Sequence, residues 1–277
     1  MYKRPIDKIA SAMKYVYLGF IIFCLFFPFV FMLFNSFKSE GAFVANKWLP
    51  TFLDVRFDNY VLAWKSVSPY LFNSIYLAIV CALGTLVVSS ITAYIFAIYD
   101  FPFKRILFLF ILMILMIPGI LTFIPQVIIV KNLGIYNSHW AIILPSIASG
   151  QIFCTFVLKS FFESLPSELT EAAKIDGARD GKIIFSIIIP LSFPMFVTLG
   201  VLQILASWNS YLWPLTVLTR KAQWTIPIGI KFLSEQGSVK TTVQYAAYTI
   251  VSIPLILLFA FTMDKFVEGL STGAIKA

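Results

Sequence analysis

The chain has 277 residues, of which 60% are hydrophobic and 12% charged, with a formal net charge of +8; soluble domains carry about 25% charged residues, so water is not its main solvent. The basic residues are scattered singly along short connecting segments rather than gathered on one face or groove, which argues against a nucleic-acid partner and reads as membrane topology. Cys24, Cys81 and Cys154 fall in three different apolar runs and His139 is the lone histidine, so no disulfide framework or zinc site is expected, and the cysteines read as small buried hydrophobes.

Residues 15–37, 69–99, 106–130, 141–158, 183–219 and 241–263 contain no Asp, Glu, Lys or Arg. About 20 helical residues cross a hydrocarbon core of about 30 Å. An all-α integral membrane protein is therefore predicted, with six helices at about 15–37, 69–99, 106–130, 141–160, 183–215 and 242–263. A barrel would need alternating strands, whereas Phe20–Phe34 and Ile106–Ile117 are apolar on every face. The first run follows Lys3, Arg4, Lys8 and Lys14 like a signal peptide, but it is too long and no small-x-small cleavage pattern follows, so it is expected to stay as a helix.

Between the first two helices, Trp48, Leu49, Pro50, Phe57, Tyr60 and Trp64 point either to a folded cap or to an aromatic belt at the interface. The third helix contains Pro118, Gly119 and Pro125, the fourth Pro145 and Gly150, and the fifth Pro190, Pro194 and Gly200, where helices kink or unwind. Backbone groups freed in a membrane find partners only in protein or in a water-filled cavity, so these three helices are expected to line a pathway. No repeat, low-complexity tract or soluble domain interrupts the chain, and one membrane domain is expected over 1–277. With the amino terminus in the cytoplasm, segments 1–14, 100–105, 159–182 and 264–277 lie inside and carry 4, 2, 4 and 2 Lys or Arg, a mild positive-inside bias.

The 161–182 segment between helices four and five reads as a short helix. Ser167 is expected to cap it after Pro166, Glu168 and Glu171 suit its positive end, and Gly177 supplies the stop. Leu169, Ala172, Ala173 and Asp176 then share a small, slightly apolar face. On periodicity alone a solvated loop helix remains the plainer reading.

The stretch EAAKIDGARDGKIIFSIIIPLSFP, Glu171–Pro194, resembles the cytoplasmic signature of ABC importer permeases. The resemblance implies a type I ABC importer permease fold in which the 166–181 loop is a coupling helix docked in an ATPase cleft, giving that role to Glu171, Ala172, Ala173, Asp176, Gly177 and Ala178. Trp208-Asn209-Ser210-Tyr211-Leu212-Trp213-Pro214-Leu215 and the tail from Phe266 to Lys276 resemble the second subunit of maltose-type carbohydrate permeases. In that family the tail reaches the ATPase dimer, which implicates Gly269, Gly273, Ala274 and Lys276. Ser271, Thr272, Ile275 and Ala277 depart mildly from the family's tail.

A phosphate-binding loop needs G-x-x-x-x-G-K-[ST]; Gly177 to Gly181-Lys182 is one residue too short and runs on into Ile183. The chain is thus expected to be no enzyme and to bind no cofactor itself, with ATP and Mg on partner ATPase subunits. An ion-coupled secondary transporter would commonly carry Asp, Glu or His within its spans, and a membrane enzyme a nucleophile and base, and the charge-free runs offer neither. Sodium coupling through backbone carbonyls and hydroxyls stays open as an alternative but gives no reason for the Glu171–Pro194 loop. An importer for another polar solute stays open. For a sugar, the pathway candidates are Gln126, Ser149, Gln151, Gln203, Ser207, Trp208, Asn209 and Tyr211, because amides bond hydroxyls and aromatic faces take the apolar face of a sugar ring; interhelical bonding is the competing use of each. The implied company is a second homologous permease, two ATPase subunits and an extracytoplasmic binding protein. The implied location is the lipid of a bacterial or archaeal cytoplasmic membrane, multi-pass, with both termini cytoplasmic.

Overall fold

The computed structural model describes residues 5–50, 54–235 and 239–274, with the backbone alone for 5–12, 270 and 272–274. Among the described residues every regular element is helical: α1 (Pro5–Ser36), α2 (Glu40–Ala45), α3 (Asp58–Ile98), α4 (Lys104–Leu115), α5 (Gly119–Asn132), α6 (Trp140–Phe162), α7 (Ser167–Ile175), α8 (Asp180–Ile183), α9 (Ile189–Leu191), α10 (Phe193–Trp208), α11 (Leu212–Val217), α12 (Ile226–Glu235) and α13 (Thr241–Ala274). A π segment, Ile184–Ile188, joins α8 to α9. α1, α3, α6 and α13 are long and apolar enough to cross a bilayer, and two bent pairs, α4 with α5 and α8–α9 with α10, bring the spans to six if each pair is one.

The expected helices lengthen or break in the structure. The second begins at Asp58 rather than 69, the first at Pro5, and the last continues to Ala274. Absence of charge marks only the part of a helix that lies in hydrocarbon, and polar turns such as 58–68 extend it beyond. The third run bends by 98° between Leu115 and Gly119 and the fifth by 82° between Leu191 and Phe193. The described residues pack into two compact units, one drawn from residues 5–68 and 230–253 and the other from 69–229 and 254–274.

In the first unit the segment after α1 folds back on it. The Ser36 and Tyr60 hydroxyls are 2.6 Å apart, Asn59 donates to the carbonyls of Ser36 and Lys38 at 2.9 and 2.8 Å, and the rings of Phe31 and Trp48 lie 5.4 Å apart. Ser39 caps α2 by accepting from the Ala42 N–H. Glu40 then caps α13, accepting from the N–H groups of Thr241 and Thr242 at 3.3 and 3.2 Å. Burial works to raise the Glu40 pKa, yet these hydrogen bonds hold it below the usual carboxylate value.

In the second unit the prolines explain where helices break. Pro118 has no N–H to continue α4, and Met116 and Ile117 close the turn by donating to Met113 and Ile114. One residue separates Pro190 from the π segment, whose extra residue per turn makes room for the ring. Pro145, in contrast, leaves α6 whole. It frees the carbonyl four residues back, on Ala141, and the Trp213 indole N–H donates to that oxygen at 2.9 Å.

At Gly269, α13 comes up against the backbone of α10. A Cβ there would fall against Thr198 Oγ1 and 2.7 Å from the Pro194 carbonyl oxygen, beside the bond from Thr198 to the Phe266 carbonyl. Gly269→Ala should therefore cost about 1–3 kcal/mol as overpacking and lower both the thermal midpoint in detergent and the level in the membrane. Gly19→Ala, with nothing within 4 Å of its Cβ, is the control and should change neither.

Candidate functional site

The structure builds two features of interest in the second unit. The first is α7 and its mount. α7 begins at Ser167 with Pro166 in the capping position and no side-chain cap, so Ser167 does not act as the expected cap. The chain enters one residue earlier because Pro is preorganised there and Leu169 N–H reaches the Pro166 carbonyl. The stop is as expected. Gly177 has φ +76, its N–H donates to Lys174 and that of Ala178 to Ala173, which is a Schellman closure.

α7 has an inner and an outer face. Thr170 is buried, and Ala173 and Ala178 pack against a core of Ala93, Leu158, Phe162, Ile183 and Leu199. Ala173, expected on one face with Leu169, Ala172 and Asp176, is thus half-buried against the core, as is Ala178 of the same loop. Leu169, Glu171, Ala172 and Asp176 remain exposed, and Ile175, which sequence reasoning passed over, is 86% exposed. An isoleucine so bare on a polar helix was the available signal.

The mount is completed by Asp180, at the start of α8. Its carboxylate accepts from the buried Tyr94 hydroxyl at 3.0 Å and from Tyr99, whose phenol is pushed up by that hydrogen bond. The Lys174 ammonium sits 5.4 Å over the Tyr99 ring. These contacts tie the end of α3 to the α7–α8 connection. No local pattern in the sequence pairs residues 94 and 180.

The second feature is a cavity of about 250 Å³ between α5, α6 and α10. Gln126, Ser146, Ser149, Gln203, Ser207, Ser210 and Trp213 line it, with no charged residue among its lining. Gln126 donates to Thr122 at 3.1 Å, and Gln203 lies over Gly150, where a Cβ would meet its Oε1 at 2.6 Å. Trp213 is held by Ala141 and by an edge contact with Phe123 at 5.4 Å. Of the expected pathway residues, Gln126, Ser149, Gln203 and Ser207 meet here.

The others lie elsewhere. Trp208, five residues beyond Gln203 and thus turned about 140° around the helix, is buried in a separate apolar pocket with Ile75, Ile79 and Leu255. Asn209 is exposed at the end of α10, and Gln151 and Tyr211 are half-buried outside the cavity lining. The missed Ser146, Ser210 and Trp213 were detectable in part, since Gln203, Ser207 and Ser210 recur at helical spacing. Of the tail residues, Gly269 packs within the chain against Pro194, only the backbone is described for Gly273 and Ala274, and Lys276 lies outside the described residues.

The profile of the family described as binding-protein-dependent transport system inner membrane component matches residues 86–271. The chain is 31% identical over 279 residues to the arabinooligosaccharides transport system permease protein AraQ of Halalkalibacterium halodurans, covering 99% of each. It is 30% identical to the lactose transport system permease protein LacG of Rhizobium radiobacter over 97% of each. In fold it is similar to a chain in the crystal structure of a bacterial ABC transporter involved in the import of the acidic polysaccharide alginate, with a TM-score of 0.85 at 22% identity over 96% of this chain and 99% of that one.

The cavity's polar lining implies water inside it. In membranes, a cysteine at Ser149 should react with a small water-soluble thiol reagent roughly tenfold or more faster than one at Trp208, since exposure and ionisation set thiol reactivity. Equal rates would mean a dry cavity.

Proposed function

The chain belongs to the family of binding-protein-dependent transport system inner membrane components, and from that premise we propose that it is the permease subunit of an ATP-binding-cassette importer that carries a sugar or oligosaccharide into the cell. The observation that carries this reading is α7, a short helix closed by Gly177 and fixed from behind by a packed core, with Leu169, Glu171, Ala172, Ile175 and Asp176 left open on its outer side. Two ATPase subunits, holding ATP and Mg, engage that outer side and the tail that carries Gly269, Gly273, Ala274 and Lys276. A second homologous permease completes the pathway, and an extracytoplasmic binding protein delivers the solute.

Mechanically, ATPase closure displaces α7, and the displacement reaches α3 through Asp180 and the core behind Ala173, and α10 through Ile183 and Leu199. Close-packed side chains transmit such a shift because they have little free volume to absorb it. The wall that moves includes Gln203. The sugar assignment draws on the arabinooligosaccharide and lactose relatives and on the uncharged cavity, where amides and hydroxyls bond sugar hydroxyls and the Trp213 ring faces apolar C–H groups. The structure's crossing count and the cation bias support an orientation with α7 and both termini in the cytoplasm.

Orientation is read by labelling intact cells with an impermeant thiol reagent: Ser234→Cys should react and Glu168→Cys should not, and the reverse pattern would invert the topology. Coupling is read on the assembled complex in lipid. Gly177→Val forces a β-branched residue into a left-handed backbone at a cost of about 1 kcal/mol or more, and Glu171→Lys reverses a charge near the positive end of α7. Both variants should insert normally yet lose most uptake and most of the ATP hydrolysis stimulated by loaded binding protein. Parental coupling in both would remove α7 from this role.

A further inference from the structure

The turn between α3 and α4 opens onto a surface cavity of about 680 Å³ that neither the α7 mount nor the polar cavity uses. Lys104, Arg105 and Lys159 line it together with Asp100, Phe103 and Phe108. Lys159 is fixed in place, with its ammonium 2.6 Å from Glu163 and 4.5 Å from the centre of the Phe108 ring. Lys104 pairs with Asp100 at 3.1 Å. Arg105 is exposed and, among the described residues, forms no ion pair, so the three cations outnumber the two carboxylates.

Two more observations narrow the ligand. Phe103 has φ 63, a left-handed backbone that an aromatic residue adopts only at a cost, and it is 72% exposed. Apolar surface then continues from the cavity along α4, where Ile106, Leu109 and Phe110 are 50%, 50% and 56% exposed. A soluble anion would use the cations and ignore the apolar strip. A molecule with an anionic head and apolar tails uses both.

We propose that this cavity binds an anionic phospholipid, its phosphate held by Arg105 and Lys104 with Lys159 behind them, and its acyl chains laid along α4 with Phe103 inserted among them. The cavity lies on the α7 side of α6, so its assignment to the cytoplasmic leaflet rests on the orientation proposed above; the binding itself does not.

The test is native mass spectrometry of the purified complex in detergent, titrated with phosphatidylglycerol, with phosphatidylcholine of the same chains, or with glycerol 3-phosphate. Each basic residue near an anionic headgroup changes binding about fivefold. The parent should bind phosphatidylglycerol about fivefold or more above phosphatidylcholine, and Arg105→Gln should remove about fivefold of the former and little of the latter. Phe103→Gly suits the left-handed backbone, so it should keep the fold and weaken both lipids. Equal binding of the two lipids by the parent, or unchanged lipid binding in both variants, would overturn the proposal. So would competition by glycerol 3-phosphate at equal concentration, which marks a soluble-phosphate site, or a cross-link from Arg105→Cys to another protein subunit, which marks a protein contact.

Discussion

The hydrogen bond from the buried Tyr94 hydroxyl to the Asp180 carboxylate is the contact that ties the end of α3 to the connection behind α7, and the mount of that helix is built around it. α7 has only nine residues, and isolated helices that short are marginal in water. Its persistence requires the core against Thr170, Ala173 and Ala178 and a fixed exit at Asp180. A phenol this deeply buried also needs an acceptor, since an unsatisfied hydroxyl costs about 1–3 kcal/mol. Each partner therefore answers the other's need.

The broken helices follow from the bilayer's demand that every backbone group be satisfied. At 192 the chain turns while Ser192 N–H keeps acceptors on Ile188 and Ile189, and Gly269 lets α13 close over Pro194. At 145 the helix stays whole because Trp213 takes the freed Ala141 carbonyl. That tryptophan is also a wall of the polar cavity. One indole thus repairs a backbone defect and shapes the site, so its replacement would disturb both.

Much of this was legible in the sequence. The charge-free runs gave the helices, Gly177 the stop of α7, and Pro118 and Pro190–Pro194 the two bends, because hydropathy and proline chemistry act locally. Side-chain direction was less legible. Trp208 and Gln203 belong to one helix and one polar-looking stretch, yet face different pockets. Ala172 and Ala173 are neighbours in one motif, yet one is exposed and the other packs inward. The Tyr94–Asp180 pair, separated by 86 residues, depends on tertiary packing that no local pattern encodes.

In the proposed coupling, Tyr94 and Asp180 make the α7 connection and α3 move as one body. A double-mutant cycle measures that linkage, with Tyr94→Phe, Asp180→Ala and the pair reconstituted as full complexes and read as solute moved per ATP hydrolysed. If the claim holds, each single variant assembles but loses coupling, and the pair is no worse than the weaker single, a non-additivity of about 0.5–3 kcal/mol. Parental coupling in the single variants, or losses that simply add, would contradict it.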